Sequence, residues 1–384
     1  MDEKEVLNYN PVAKIKVIGV GGGGNNSIQA LLDTKLDGLD FIVVNTDKQA
    51  LARFNQNQIL HIGDKRGIGA GANPEIGRSA AEGNADEIKS RLKGADLVLI
   101  TAGMGGGTGT GASPVIAKIA KEQGSLVMAI VTTPFMFEGR IRSEVAKKGI
   151  EEIKKYVDAF IIVSNDKLTE QYGEVSFNDA FKCANNVLKQ TIRTIIDVIA
   201  VPSFINLDFA DLETVIKNKG EAVVGIGQAS GEDRTVKAIT SAISSPILES
   251  SIVGATDAIV HFSVSSKVTL NEIKKAILTM REIVGKDINI IFGINNSISD
   301  ESNKLGEVFV SVIATGLKDG APKAAEDIQA EVITNIESSS SMFVNSETSE
   351  MLIENIKNGS RYPIIEEDKD FRLVNDDMQD VFKS

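Results

Sequence analysis

The chain has very few of the residues that most often bind metals or form disulfides. Among its 384 residues there are one cysteine, Cys183, two histidines, His61 and His261, and no tryptophan. A single cysteine cannot form an intrachain disulfide, which favours a reducing compartment. Neither histidine has a second metal-type ligand at a usual spacing, so a zinc enzyme or a histidine-based hydrolase is not expected.

The chain also lacks a long apolar run and a surplus of positive charge. No apolar stretch reaches the roughly 18 residues that a membrane span needs, and the acidic start, residues 1–5, does not resemble a signal peptide. With 53 acidic and 41 basic residues, the net charge is -12. This charge argues against nucleic acid and anionic lipid as main partners. We expect a soluble, cytoplasmic protein that binds no nucleic acid and does not insert into a membrane.

Glycine is plentiful, and it is most concentrated in one stretch, residues 102–111. The stretch follows an apolar run, 97–100, that is typical of a buried strand, and it precedes a segment with helical spacing, 112–120. A strand, a glycine-rich turn and a helix start together form a cradle for anions, because amide N–H groups point inward and the helix N-terminus adds positive potential. Thr108 and Thr110 add hydroxyl donors. The pattern predicts a phosphate-binding loop rather than a flexible glycine linker.

Two further glycine-rich segments lie at similar places in the chain. Residues 19–24 end a strand predicted over 13–20 and match the dinucleotide-binding fingerprint, with Asp47 as the acidic residue after the next strand. The other segment is 67–74. Three such loops favour one nucleotide whose phosphates are surrounded on several sides, although the first loop alone also fits a nicotinamide-dependent dehydrogenase. The Gly-x-x-x-x-Gly-Lys-Ser/Thr motif is absent from the sequence, which excludes a P-loop match.

The alternation of strands and helices predicts an α/β fold with a parallel sheet covered on both faces and ligand loops at the carboxyl ends of the strands. A long helix with apolar residues around much of its circumference then indicates burial between two bodies. The low apolar density and acidic character of the last part predict disorder. The predicted divisions are a flexible N-terminal segment 1–12, a nucleotide-binding domain 13–175, a central helix 176–201, a smaller α+β C-terminal domain 202–317 and a disordered acidic tail 318–384.

The order of these motifs resembles that of the FtsZ family, the tubulin-like GTPases that polymerise into the bacterial cytokinetic ring. The resemblance covers about residues 13–317, and its most specific motif is the Gly-Gly-Gly-Thr-Gly-Thr-Gly run at 105–111. The other matching segments are 21–26, 45–47, 69–74, 134–139 with Arg142, 165–167 and 206–211. The resemblance implies a tubulin-like fold with a Rossmann-type GTPase domain. It also implies a cytoskeletal GTPase that acts at the division site and binds GTP or GDP with Mg²⁺, with K⁺ as a further candidate cation.

The resemblance assigns roles to the matching residues. Those implied to contact the phosphates and the ribose side are Gly22, Gly23, Gly24, Asn25, Asn26, Asn45, Asp47, Gly103, Gly105, Gly106, Gly107, Thr108, Gly109 and Thr110. Those implied to sense the γ-phosphate are Ala70, Gly71, Ala72 and Asn73; those implied near the ribose are Pro134, Glu138 and Arg142; those implied to hold guanine are Asn165, Phe181 and Asn185. The Mg²⁺ ion is expected to bind mainly through the phosphates, since no side-chain motif for a metal is present.

The chain departs from the family pattern at several places. Asn185 stands where many relatives have Asp, and an amide offers guanine one acceptor oxygen where a carboxylate accepts from both N1–H and the 2-amino group. We therefore expect weaker discrimination against adenine. Thr133 and Ser203 replace a basic residue and a glycine. The tail has no clear copy of the short peptide by which relatives bind membrane tethers, so the implied tether and division partners lack their usual motif.

Asn206, Asp208 and Asp211 are the implied hydrolytic residues. From the sequence alone, the two acids are also typical caps for the helix that follows them. From Asn185 to Val201 there are sixteen residues of predicted helix, or roughly 24 Å. The acids would then lie far from the nucleotide of their own chain and meet that of another copy, and such a head-to-tail contact generates a filament. The sequence predicts a homopolymer that hydrolyses GTP between subunits; a scaffold with little turnover is the alternative.

Overall fold

Strands and helices alternate in the first half of the molecule, as the α/β prediction requires. The computed structural model describes residues 13–32, 39–172, 177–200, 207–245, 250–265, 267–295, 307–317, 325–338 and 346–357. The strands of this half are β1 (Ile15–Val20), β2 (Leu39–Asn45), β3 (Ile59–His61), β4 (Leu97–Gly103), β5 (Leu126–Thr133) and β6 (Ala159–Ser164). The helices are α1 (Gly21–Leu32), α2 (Lys48–Leu51), α3 (Pro74–Gly83), α4 (Ala85–Leu92), α5 (Thr108–Glu122), α6 (Arg140–Ile153) and α7 (Asn165–Tyr172), with 3₁₀ turns at Met136–Glu138 and Lys154–Tyr156.

These six strands form a parallel sheet in the order β3-β2-β1-β4-β5-β6. The register places Val20 beside both Val44 and Ala102, and Ala102 beside Val131. The carboxyl ends of the four central strands therefore lie level with one another. Because the connecting loops leave from these ends, the loops are brought together at one edge of the sheet.

A long helix, α8 (Phe177–Ala200), follows the parallel sheet and has 24 residues, which makes it roughly 36 Å long. Val187, Ile192 and Ile195 on this helix are almost completely buried. They share a core with strands of the parallel sheet and with apolar residues of the second half of the chain. This shared core confirms the expectation of burial between two bodies. Ser176, the predicted start of this helix, lies outside the described residues.

The second half is a smaller α+β domain whose strands continue the same sheet. Its elements are α9 (Phe209–Ile216), β7 (Gly220–Ala229), α10 (Arg234–Ile243), β8 (Asp257–Ser263), α11 (Leu270–Val284), β9 (Asn289–Asn295) and β10 (Val308–Thr315). The strand order from the first half is β6-β7-β10-β8-β9, which extends the sheet to ten described strands. Strand β10 is antiparallel to both β7 and β8, whereas β8 and β9 are parallel. Helices α10 and α11 cover this part of the sheet and form a second apolar core with it.

The two halves of the sheet join where the turn before β7 meets the strand β6. Only Ala159 with Gly220 and Phe160 with Glu221 pair across the joint. Next to it, the buried carboxylate of Asp158 accepts hydrogen bonds from the backbone N–H of Asn218 at 3.2 Å and from Val127 N at 2.9 Å. These hydrogen bonds attach the turn to the first domain.

Two segments of the tail that the sequence predicts to be disordered are helical in the structure. These are α12 (Ala325–Ser338) and α13 (Ser346–Lys357). Val332, Ile336, Leu352 and Ile356 are buried in the core formed with α10 and α11. The prediction of a disordered tail from residue 318 therefore does not hold for these two segments. Each of the two helices has a pair of apolar residues at positions i and i+4. Such a pair forms one narrow buried stripe even though the overall apolar density of the segment is low.

Several helix boundaries also differ from those that the sequence predicts. Apolar periodicity predicts a helix from about Ser27 to Leu36, but α1 begins at Gly21. Helix α5 begins at Thr108 rather than at the predicted residue 112. Glycine has a low intrinsic helix propensity, which is why the sequence predicts both starts too late. The sequence predicts a helix over about 212–219 after the two acids, whereas α9 begins three residues earlier, at Phe209, directly after Asp208.

Candidate nucleotide site

The N-termini of three helices lie at the loop edge of the parallel sheet. Helix α1 follows β1 directly, α5 follows the turn after β4, and α3 begins at Pro74, after the third glycine-rich segment. Each N-terminus carries unsatisfied N–H groups and the positive end of a helix dipole. Together they give this edge of the sheet N–H donors and positive potential, the features with which helix N-termini bind phosphate groups.

The loop after β4 turns tightly and leaves open space beside part of its backbone. Gly105 has a φ of 98°, which only glycine adopts easily, and its N–H donates to the Thr110 Oγ1 atom at 2.9 Å. A Cβ atom on Gly106 would meet nothing within 4 Å, so this position is open to a ligand. One on Gly107 would lie 3.0 Å from Asn73 N, which shows how closely the third loop approaches. The Thr110 hydroxyl accepts this hydrogen bond and keeps its own proton, and the Thr108 hydroxyl forms a hydrogen bond with that of Thr46.

The loop after β1 differs from a free glycine loop, because residues 21–26 already form the first turns of α1. Gly22 faces open space, whereas a Cβ atom on Gly23 would lie 3.2 Å from Gly103. Asn25 is buried, and its side-chain amide hydrogen-bonds to that of Asn45 at 3.1 Å. This hydrogen bond links the segment that follows β1 to the end of β2. Gly22 faces outward from it. Asn26 interacts with Arg53.

The third glycine-rich segment, residues 67–73, lies beside the end of β2. An isolated antiparallel β-bridge between Asp47 and Ile68 holds it there. The Asp47 side chain caps the short helix α2 by accepting from Gln49 N at 2.8 Å. Gly71 and Ala72 are both left-handed, with φ values of 56° and 59°. Asn73 caps α3 by accepting from Glu75 N at 3.0 Å. The segment containing Ala70 thus packs directly against the loop after β4.

The residues implied to lie near the ribose form one connected group. The Arg142 Nη1 atom lies 2.7 Å from the Glu138 Oε2 atom, and Glu138 Oε1 accepts from Phe135 N at 3.0 Å. A Cβ atom on Gly105 would lie 2.8 Å from Arg142 Cγ and 3.4 Å from Pro134 Cγ. Pro134, Glu138 and Arg142 are therefore held against the loop after β4.

An aromatic cluster connects this group to the start of α8. The rings of Phe135 and Phe137 stack with centroids 5.0 Å apart, and Phe181 meets Phe135 edge-on at the same distance. Asn185 lies one helical turn after Phe181, on the same side of α8. Asn165 is buried at the start of α7. Asp166, which the sequence analysis left out of the site, accepts from Met136 N at 2.8 Å and fixes the 3₁₀ turn; its place directly after the predicted Asn165 was the available signal.

The acids implied in hydrolysis lie at the start of α9. Asp208 N donates to Asp211 Oδ2 at 3.1 Å, and Asp211 N donates to Asp208 Oδ1 at 2.8 Å. The two side chains therefore form a reciprocal cap, as the alternative from the sequence predicts. Helix α9 is fixed in the second domain, since Thr315 Oγ1 donates to Val215 O at 2.6 Å. Asn206 lies outside the described residues.

The described part of the chain contains no group of three or more His, Cys, Asp or Glu side chains suited to hold a metal ion. Among the described helices, none has the length and apolar character needed to span a membrane.

Comparisons with known proteins identify the family. The model of the Tubulin/FtsZ family GTPase domain matches residues 14–173, and that of the FtsZ family C-terminal domain matches residues 220–318. The cell division protein FtsZ of Mycoplasmopsis pulmonis (strain UAB CTIP) is 51% identical over 353 residues, covering 91% of this chain and 89% of that protein.

Two solved structures are similar over most of the chain. The empty FtsZ dimer of M. jannaschii matches with a TM-score of 0.73 and 39% identity, covering 79% of this chain and 88% of that one. The GTPγS-bound protofilament of CetZ2 from Haloferax volcanii matches with a TM-score of 0.68 over 85% of this chain and all of that one; at 19% identity it supports the fold alone.

The sheet order of the first domain also occurs in nicotinamide-binding domains, so the order alone does not separate the two classes. The family models do, because the GTPase domain and the C-terminal domain match in sequence and together cover most of the chain. These matches remove the dehydrogenase alternative. The chain belongs to the FtsZ family of cell-division proteins, with a tubulin-like GTPase domain that binds GTP or GDP and an FtsZ-type C-terminal domain.

Proposed function

We propose that this chain hydrolyses GTP in the contact between successive copies of a head-to-tail filament, and that the filament forms the division ring. The observation that carries the proposal is the separation between the nucleotide site and the acidic cap. Phe181, near the start of α8, contacts Phe135 beside the phosphate loop, whereas Asp208 follows the far end of this 24-residue helix. The acids of one copy therefore lie far from the nucleotide of the same copy. A second copy, stacked end to end, would place its own acids beside that nucleotide.

Each copy holds its own nucleotide in this proposal. The amides of Gly22, Gly106 and the first turns of α1, α3 and α5 bind the phosphates. Glu138 accepts from a ribose hydroxyl, and Arg142 binds the phosphate side. Phe181 stacks on guanine, while Asn165 and Asn185 hydrogen-bond to its edge. Mg²⁺, when bound through the phosphates, neutralises the charge that develops on the γ-phosphate, and K⁺ is a further candidate beside it.

The acidic cap of the neighbouring copy orients the attacking water. The hydrogen bonds between Asp208 and Asp211 use one oxygen of each carboxylate and fix both side chains. The second oxygen of each carboxylate is not used by these hydrogen bonds and is left as an acceptor. Those oxygens polarise a water molecule toward the γ-phosphate, and Asn206 positions it. Capping and catalysis are therefore compatible roles for the same two side chains.

Exposed apolar side chains near the nucleotide site support an association of this kind. Met136, Phe137 and Ile141 are 78%, 64% and 80% exposed, and Ile68 in the third loop is 72% exposed. Large apolar residues clustered around a polar site are typical of a surface that another protein covers. A heterologous contact through this surface propagates into a filament. At the division site, we expect further cell-division proteins and a membrane tether to bind through the C-terminal tail.

The proposal is tested by the dependence of hydrolysis on protein concentration. We expect right-angle light scattering to rise with GTP and not with GDP, and phosphate release per chain to rise over the same concentration range. If dilute, strictly monomeric protein cleaves GTP at the full rate per chain, the shared site is wrong. If scattering rises while no phosphate is released, the chain is instead a nucleotide-dependent scaffold.

A further inference from the structure

Thr46 lies where three segments of the nucleotide site meet. It follows Asn45, the last residue of β2, and its carbonyl oxygen accepts from Gly69 N in the third loop at 3.2 Å. Its Oγ1 atom lies 2.7 Å from the Oγ1 atom of Thr108, the first residue of α5. Both threonines are buried, with 4% and 8% of their surfaces exposed. One residue thus contacts two of the three loops that surround the phosphate site.

The hydrogen-bonding capacity of the two hydroxyls limits what Thr108 can offer a ligand. A hydroxyl has one proton to donate and two lone pairs. If Thr108 donates to Thr46, it presents only lone pairs toward the site, and these repel a phosphate oxygen. If Thr46 donates to Thr108, the Thr108 proton remains available to the ligand. Only the second arrangement gives an anion a donor at this position, so a bound phosphate selects it.

We propose that Thr46 is a positioning residue for the phosphate site: its hydroxyl donates to Thr108 and so leaves Thr108 as a donor to the nucleotide. Its carbonyl at the same time holds the third loop against the site. The inference rests on the proposed nucleotide site and adds to it a residue that does not contact the ligand. A hydrogen bond to a charged acceptor is among the stronger ones in proteins, so loss of the preset donor weakens phosphate binding measurably.

The test compares Thr46→Val with Thr46→Ser, which keeps the hydroxyl. Dissociation constants for GTP and for guanosine are measured by competition against a fluorescent GTP analogue, and thermal melting checks the fold. We expect Thr46→Val to weaken GTP binding about tenfold and to leave guanosine binding unchanged, and Thr46→Ser to bind GTP within about twofold of the unchanged chain. Thr101→Val is a matched control, because the Thr101 hydroxyl is buried without a hydrogen-bond partner among the described residues.

A double-mutant cycle with Thr108→Val separates positioning from general packing. In the Thr108→Val background, Thr46→Val should weaken GTP binding no further. A further tenfold loss in that background, equal losses for GTP and guanosine, or unchanged GTP binding in Thr46→Val would each overturn the inference. If the unchanged chain binds neither GTP nor guanosine, the proposed nucleotide site fails and this inference fails with it.

Discussion

Asp197 on α8 and His261 on β8 line the same cavity, which lies between the central helix and the sheet of the second domain. Burial raises the pKa of Asp197 to about 6, although the Arg193 guanidinium 3.5 Å away opposes the rise. Burial lowers the pKa of His261 to about 4. Both shifts favour the neutral side chain. The two groups therefore make opposite contributions to the pH dependence of stability, although they line one cavity between α8 and the second domain.

For Asp197, stability should fall as the pH rises. The folded chain holds the Asp197 proton up to about pH 6, whereas the unfolded chain releases it near 3.8, so folding becomes less favourable between these values. We expect Asp197→Asn to gain stability relative to the unchanged chain by roughly 1 to 3 kcal/mol as the pH rises through this window. Urea unfolding at several pH values measures the difference. A difference that stays constant with pH would contradict the assignment.

For His261, the dependence should have the opposite sign. The unfolded chain binds a proton near pH 6.5 and the folded chain only near 4, so stability is lost as the pH falls between these values. His261→Gln removes this loss, and its free energy of unfolding should exceed that of the unchanged chain increasingly toward acid. Because the two windows overlap, Asp197→Asn and His261→Gln should shift the pH profile of the unchanged chain in opposite directions. The prediction is wrong if both variants shift the profile in the same direction.

Removing the acidic cap should separate binding from turnover. We expect Asp211→Ala to retain GTP binding and to lower phosphate release by roughly a hundredfold or more, because it removes a group that polarises water. Glu213→Ala is the matched control: Glu213 lies on the same helix, and its partner is Lys217 on the next turn. Loss of the cap itself destabilises α9 by only about 1 kcal/mol, which thermal melting detects separately. Full turnover by Asp211→Ala would leave this residue with the capping role alone.

The selectivity for GTP over ATP should depend on Asn185, which lies one helical turn after Phe181. Asn185→Asp supplies two acceptor oxygens to the guanine edge in place of one. We expect the ratio of ATP to GTP dissociation constants to rise about tenfold, with ITP losing part of the gain because it lacks the 2-amino group. Asn186→Asp adds the same charge at the neighbouring exposed position and should leave the ratio unchanged. An equal effect of both variants would show that charge, rather than contact with the base, changes the affinity.

The helices α12 and α13 should contribute measurable stability. Leu352 is completely buried among residues of α10, α11 and α12. We expect Leu352→Ala to lower the free energy of unfolding by roughly 2 to 4 kcal/mol, whereas Glu350→Ala, at an exposed position of the same helix, changes it by less than about 0.5 kcal/mol. A disordered segment would respond to neither substitution, so equal unfolding curves for the two variants would restore the original expectation for this part of the chain.

The sequence predicted those features that depend on strong local patterns. The apolar runs before Gly21 and Gly103 end at one edge of the sheet, as the strand patterns predict. The helical apolar spacing of residues 270–284 likewise predicts helix α11, which spans Leu270–Val284. The start of α1 at Gly21 was missed because close packing against β4, rather than helix propensity, places glycine there. Helices α12 and α13 were missed because their stability depends on a surface formed by α10 and α11. Such a surface is not visible from local composition.

Within the site, Thr46 and Asp166 were missed for a related reason. Thr46 acts through contacts with Thr108 and Gly69, and Asp166 through a contact with Met136. Both residues belong to matching segments, 45–47 and 165–167, but the sequence does not show these distant contacts. Asp208 and Asp211 differ from these two residues, because their spacing predicts the helix cap that the structure contains. The same spacing does not reveal whether the two acids also act on the nucleotide of a second copy. The roles of the individual site residues therefore remain predictions.

The close contacts of backbone with backbone around the phosphate loops have a thermodynamic consequence. A Cβ atom on Gly77 would lie 2.5 Å from the Gly107 carbonyl oxygen, and one on Gly111 would lie 2.7 Å from Arg78 N. Helices α3 and α5 are thus fixed against each other without intervening rotamers that an incoming ligand would have to immobilise. Little conformational entropy is lost when an anion enters such a preorganised template, so more of its interaction energy remains available as affinity.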